Sequence, residues 1–214
     1  MCRSRISRGI LPTTSIACSS SPSEIMNKVI RVLLCLSLCM PVLGHAGVYE
    51  DMLAAIAIDD QATVAALLKK GVDVDTVSPK GDSLLMLAVR EGKPAVIKTI
   101  LAHRPKVNAR NALGETALML AAIKGQADTV KALLDAGAAV NQSGWTPLIY
   151  AATTNQLDIA RMLLAKGASV NAAAENGTTA LMMAAREGHM PMVLLLMENG
   201  ADINHKTPYG YTAL

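Results

Sequence analysis

The side chains best suited to proton transfer or metal ligation after residue 46 are His103, His189 and His205, with the acidic pair Asp59-Asp60. Metal sites draw ligands from short, regular spacings that converge on one place. These histidines are scattered, and each reads as an ordinary surface or turn residue. Neighbouring carboxylates act as an acid/base pair only where their surroundings push their pKa values apart. Asp59 and Asp60 read instead as part of a solvated polar cap. Met86, Met119 and Met182 recur at matched positions, which points to flexible thioethers filling a core rather than to metal or redox use. The four cysteines, Cys2, Cys18, Cys35 and Cys39, all precede residue 47 and form no paired motif. There is no phosphate-cradling glycine loop and no nucleophile elbow around a serine. The expectation is of no catalytic residue, no cofactor and no metal. Catalysis finds no support in these side chains.

What positions these side chains is a repeated helix pair, seen most fully over residues 111–141, NALGETALMLAAIKGQADTVKALLDAGAAVN. Gly114-Glu115-Thr116 makes a turn, and the Thr116 hydroxyl can cap a first helix by accepting a backbone N–H. Leu118, Leu120, Ala121 and Ala122 give that helix a narrow apolar face. Gly125 reverses the chain, Val130, Leu133 and Leu134 stripe a second helix, and Gly137 stops it. A hairpin this small cannot bury its own apolar faces, and the chain supplies copies to stack beside it.

Ser83, Thr116, Thr146, Thr179 and Thr212 occupy one column, at spacings of 33, 30, 33 and 33 residues. Gly92, Gly125, Asn155 and Gly188 fill the corner column. Gly71, Arg104, Gly137, Gly167 and Gly200 fill the helix-stop column, each followed four residues later by Asp75, Asn108, Asn141, Asn171 or Asn204. A period of 33 with a T-P-L-H-x-A signature marks ankyrin repeats. The chain resembles that family at Thr146-Pro147-Leu148-Ile149-Tyr150-Ala151, at Thr116-Ala117-Leu118-Met119-Leu120-Ala121 and at Thr179-Ala180-Leu181-Met182-Met183-Ala184.

The resemblance implies an all-α solenoid of stacked helix-turn-helix units with finger loops, five repeats and an incomplete sixth within 47–214. Unit one should lack an initial finger, with Glu50, Asp51, Asp59 and Asp60 as a polar N-terminal cap. Pro94 and Pro191 should open the second helices of units two and five. The histidine that usually follows the signature leucine is Met86, Met119, Ile149 or Met182, so apolar packing should replace a polar tie. The stretch from Asn141 to Thr146 is three residues shorter than that from Asn108 to Thr116, which should stunt one finger and leave Trp145 at its tip. Unit five, whose helices carry Leu181, Met182, Met183, Met190, Met192, Val193, Leu194, Leu195, Leu196 and Met197, is poorly suited to end a stack. The expectation is therefore that the natural chain continues beyond Leu214, and that residues 180–199 exchange amides faster than 117–135.

Charge divides the chain at the same place as its cysteines. Residues 1–46 carry five basic side chains against Glu24, a net of +4, whereas 47–214 carry 15 against 16 acidic, a net of −1. A nucleic-acid footprint is absent from the repeats. Residues 26–46 show a basic head (Lys28, Arg31), a 12-residue apolar run from Val32 to Leu43 broken late by Pro41, and small residues Gly44 and Ala46. This is a signal-peptide pattern with cleavage between Ala46 and Gly47, too short to span a bilayer stably. Residues 1–25, rich in Arg and Ser, superficially resemble a transit peptide. A complete signal peptide beginning at Met26 favours reading them as a disordered upstream extension. The leader looks like a bacterial Sec signal, and the chain in turn resembles secreted ankyrin proteins of Gram-negative bacteria, implying a periplasmic or secreted location.

The family resemblance implies a non-catalytic module that binds a protein partner through finger tips and an exposed concave helical face. The positions carried over are Asp82, Glu115, Trp145, Thr178 and Tyr211 at the tips, with Lys93, Gln126, Gln156 and His189 after the corners. Trp145, the single tryptophan, is either a contact hot spot or folds back to fill the gap of the short finger. Tyr150 reads as core. An inhibitor or immunity-type protein of one enzyme, and a secreted effector, would use the same surface. Asn141-Gln142-Ser143 and Asn176-Gly177-Thr178 match glycosylation sequons but read as turns.

Overall fold

Hydroxyl residues start the first helix of units two to five. Ser83, Thr116, Thr146 and Thr179 are buried and extended, and their side-chain oxygens accept the backbone N–H of Met86, Met119, Ile149 and Met182 at 3.3–3.4 Å. The Thr116 N–H in turn points at Met119 Sδ, 3.4 Å away, closing a reciprocal cap with sulfur as acceptor. The column that lacks the family's histidine is thus buried, and at Met119 it also completes a helix start.

The computed structural model describes the backbone of residues 40–213 and side chains from Gly47 onward; the extension over 1–25 and the leader before Met40 lie outside the described residues. The described helices are α1 (Met40–Ala57), α2 (Gln61–Lys69), α3 (Leu84–Glu91), α4 (Pro94–Ala102), α5 (Ala117–Ile123), α6 (Ala127–Asp135), α7 (Pro147–Thr153), α8 (Leu157–Ala165), α9 (Ala180–Arg186) and α10 (Met190–Glu198). Among the described residues, β pairing is confined to isolated bridges at the finger bases, Val77–Ser83 and Ala173–Thr179. The fold is an all-α repeat solenoid. Pro94 opens α4 and Pro191 lies in the first turn of α10, where a missing N–H costs nothing.

A left-handed residue joins the helices of each pair: Asp59 (φ 60°), Gly92, Gly125, Asn155 (φ 56°) and Gly188. Asp59 extends the corner column to unit one, and the acidic pair is not merely solvated. Asp59 Oδ1 accepts the Val96 N–H in the first turn of α4 at 3.2 Å. Asp60 caps α2, accepting from Ala62 and Thr63 N–H and, at 2.6 Å, from the Thr63 hydroxyl. The Thr63 hydroxyl bond is the main reason that the Asp60 carboxyl sits below its ordinary value.

First helices stack on first helices, α3 on α5 on α7 on α9, and second helices likewise from α2 to α10. Between the two rows lie Met52, Ile56, Leu85, Ile97, Ile100, Leu118, Leu133, Leu148 and Ile149, all at most 2 % exposed. Each such side chain contributes about 1.5–3 kcal/mol on burial. The alanines at 88, 121, 122, 151, 152 and 184 are equally buried and let the first helices approach closely.

The residue four places after each helix stop lays a second, polar line along the stack. Asn141 accepts the Ser169 N–H and donates to the Gly167 carbonyl, both at 2.8 Å. Asn108 does the same to Ala139 and Gly137, Asn171 to Asp202 and Gly200, and Asp75 accepts the Lys106 N–H. One side chain thereby fixes the helix stop of the next unit. Replacing Asn141 by Ala removes two such bonds at an exposed site. Urea denaturation should show a loss of about 1–2 kcal/mol, and an unchanged midpoint would mean that stacking alone sets the register.

Candidate partner-binding surface

A finger turns back through four residues ending in glycine. In unit three the Gly114 N–H donates to the Asn111 carbonyl at 2.9 Å and the Asn111 N–H to the Glu115 carbonyl at 3.0 Å. The same pair of bonds closes the turns over 78–82, 174–178 and 207–211. The tips are therefore Pro79-Lys80, Ala112-Leu113, Glu175-Asn176 and Pro208-Tyr209, all exposed. Asp82, Glu115, Thr178 and Tyr211, expected at the tips, follow the turn glycine and stand at the finger bases. The column Gly81, Gly114, Gly144, Gly177 and Gly210, all at positive φ, shares the period of the hydroxyl column and carried this information in the sequence. Fingers also pack closely: a Cβ on Gly81 would lie 3.0 Å from the Ala112 nitrogen.

Asp82 is the clearest correction. It is only 6 % exposed, and its Oδ1 accepts from Asn111 Nδ2 at 2.8 Å and Arg90 Nη2 at 3.4 Å. Arg90 Nη2 also reaches Glu115 Oε2 at 2.9 Å, which Asn111 Nδ2 meets at 3.0 Å. Burial first, and then the charge and hydrogen bond of Glu115, push the Tyr150 phenol above its ordinary value. Asp82, Arg90, Asn111, Glu115 and Tyr150 thus form one network across units two, three and four. Glu115, with its side chain 18 % exposed, belongs to that network before it belongs to any contact surface.

Trp145 follows Gly144 in the short finger and remains 36 % exposed. Its ring stands 5.6 Å from that of Tyr150, tilted by 40°. It is both packed and presented, so neither sequence alternative holds alone. Arg110 of finger three bridges the shortened loop, its Nη2 donating to the Ser143 carbonyl at 3.3 Å. Tyr150 is half-buried against the core, as its column implied.

The residues after the corners are half-buried and reach backwards along the stack. Gln126 Nε2 donates to the Val89 carbonyl at 2.9 Å, and the His189 ring nitrogen pairs with the Thr153 carbonyl at 3.1 Å. Gln156 lies over Gly125, where any Cβ would meet its amide at 2.7 Å. These side chains occupy orphan carbonyls or space at the preceding unit's first-helix end, which removes them from an open contact face. Lys93 makes no side-chain hydrogen bond among the described residues.

The open concavity lies elsewhere. A groove of about 850 Å³ runs between α1, α3 and fingers two and three, lined by Tyr49, Leu53, Pro79, Leu87, Arg90 and Leu113. Leu113 is 80 % exposed on its rim. Of the sequence-derived positions, only Asp82 borders this groove. The groove depends on which apolar columns turn half-exposed beside a finger, a feature that no motif in the sequence announces. The Ala46–Gly47 bond lies within α1, with Gly47 exposed. Among the described residues no cluster of three acidic, His or Cys side chains could hold a metal, and no helix is long and apolar enough to cross a membrane.

Two substitutions separate packing from presentation. Asp82→Ala removes one of the two carboxylates that Arg90 and Asn111 share, leaving both to Glu115 alone, and should cost about 1–3 kcal/mol of stability, where an exposed contact residue would cost almost none. Trp145→Ala should cost about 1–2 kcal/mol, the aromatic pair plus partial burial. Denaturation midpoints near wild type in both variants would show the network and the ring pair to be incidental.

Comparison with known families gives two matches. The family described as ankyrin repeats (3 copies) matches residues 51–142 and 85–174, and that described as ankyrin repeats (many copies) matches residues 163–214. A comparison with curated proteins found no match.

Proposed function

The chain belongs to the ankyrin-repeat family, whose repeats make it a protein–protein interaction module, and from that premise we propose an exported, non-catalytic scaffold that grips a protein partner in the groove of α1, α3 and fingers two and three. The observation that carries this reading is the groove itself, about 850 Å³ with an apolar floor of Leu53 and Leu87. Apolar concavities rimmed by polar side chains are where soluble proteins receive partners. Leu113 at the rim and Tyr49 at the α1 wall are the side chains best placed to clasp an inserted segment. Glu50 and Lys80 supply charge along the groove, and Trp145, 36 % exposed, offers a further aromatic contact in unit four.

The leader pattern over 26–46 supports the location. Removal between Ala46 and Gly47 would release the repeat region to the periplasm or the medium, where its freedom from cysteine makes it indifferent to redox conditions. Neither nucleic acid nor a membrane is needed for the role.

Leu113→Arg tests the groove. Because Leu113 is already exposed, stability should change by no more than about 0.5 kcal/mol. Binding to a protein captured by the wild-type chain should weaken by about 2 kcal/mol in calorimetry. Equal capture by both chains would place the partner elsewhere on the surface. N-terminal sequencing of the protein from osmotic-shock fluid should begin at Gly47; an intact leader on cytosolic protein would refute export.

A further inference from the structure

The tripeptide Glu-Asn-Gly occurs twice, at Glu175-Asn176-Gly177 and at Glu198-Asn199-Gly200. Glycine after asparagine offers an unhindered backbone nitrogen to the side-chain amide. Sequence therefore makes the two sites equivalent, and their surroundings do not. We propose that Asn176, at the tip of finger five, is a site of spontaneous modification: cyclisation to a succinimide and hydrolysis to aspartate or isoaspartate, while Asn199 is protected.

In the first step the Gly177 nitrogen attacks Asn176 Cγ. A C–N bond forms, the Cγ–Nδ2 bond breaks, and the Gly177 proton departs with Nδ2 as ammonia. Water then opens the ring at either carbonyl, which restores an aspartate or routes the backbone through the side-chain carboxyl. No oxidant or cofactor takes part.

Two observations select Asn176. Its Oδ1 accepts the Thr178 N–H at 3.1 Å, so a donor already faces the oxygen on which negative charge develops as Gly177 attacks. Its Nδ2, the leaving group, makes no hydrogen bond among the described residues. Exposure does not separate the two, since both asparagines are exposed. Asn199 has the opposite arrangement: its Nδ2 is held by the Leu195 carbonyl at 2.8 Å at the end of α10, and nothing donates to its Oδ1. Both glycine nitrogens are tied in turns, Gly177 to the Ala174 carbonyl at 2.8 Å and Gly200 to the Met197 carbonyl at 3.0 Å. Both reactions thus need a local opening, and the side-chain contacts make the difference.

Position 177 cannot escape by substitution. A Cβ there would lie 2.6 Å from Pro208 Cδ and 3.0 Å from Thr207 Cα, so the packing of finger six on finger five demands glycine. The product has a local consequence. Isoaspartate adds a backbone atom inside a turn closed by Ala174 N–H to Thr178 carbonyl at 2.9 Å, next to the Thr179 cap of α9.

The full chain is aged in mildly alkaline buffer at body temperature, folded and in urea. Peptide mapping by mass spectrometry follows the amide-to-acid change at both sites, and an isoaspartyl methyl-transfer assay identifies the rearranged product. In the folded chain Asn176 should convert about tenfold faster than Asn199, well short of the roughly hundred-fold effect of a preorganised oxyanion donor in an enzyme. In urea the two rates should converge, and Asn176→Gln should abolish the fast phase. Equal or reversed rates in the folded chain, or persistence of the Asn176 amide throughout, would overturn the proposal.

Discussion

The structure depends on one constraint: a pair of short helices has too little surface of its own to bury the apolar faces that make it helical. Each pair must be a wall for the next. The alanines at 88, 121, 151 and 184, all fully buried, are the sign of that demand, because close approach of first helices leaves room for little more than a methyl group. Apolar stacking supplies the energy, but it is tolerant of sliding and rotation. Directional bonds remove that freedom. The Asn108, Asn141 and Asn171 side chains hold the helix stops, Gln126 and His189 hold the corners, and the Asp82–Glu115 network holds the fingers.

The same division explains how much could be read from the sequence. The helix pairs, their hydroxyl starts and the left-handed corners were legible because each rests on a local rule that recurs at a fixed period. Buried methionines in place of the family's histidine were equally legible, since apolar side chains in a packing column have one place to go. Asp59 escaped the corner column because only asparagine and glycine were sought there, although aspartate tolerates the same backbone.

The contact surface was harder to read for a physical reason. A polar side chain beside a turn can face a partner or satisfy a neighbour, and sequence does not record which orphan carbonyl lies within reach. Asp82, Gln126 and His189 each found such a neighbour. The finger tips lie before the turn glycine that ends the reversal, so the residue between that glycine and the hydroxyl column stands at the finger base. The groove went unseen altogether. It is lined by half-buried leucines, Leu53 and Leu87, which in the sequence look like any other apolar position of a helix pair.

The network of Asp82, Arg90, Asn111, Glu115 and Tyr150 bears on more than local geometry. A stack joined only by nearest-neighbour contacts comes apart like a zip, one unit at a time from its weaker end. Here linked polar contacts reinforce the interfaces between units two, three and four, Asp82, Arg90, Asn111 and Glu115 across the first and Glu115 with Tyr150 across the second. Opening under heat or tension should therefore start at units one and five, which take no part in this network, and reach the middle of the stack last. A spring of identical coils would stretch evenly; this one has a rivet through its centre.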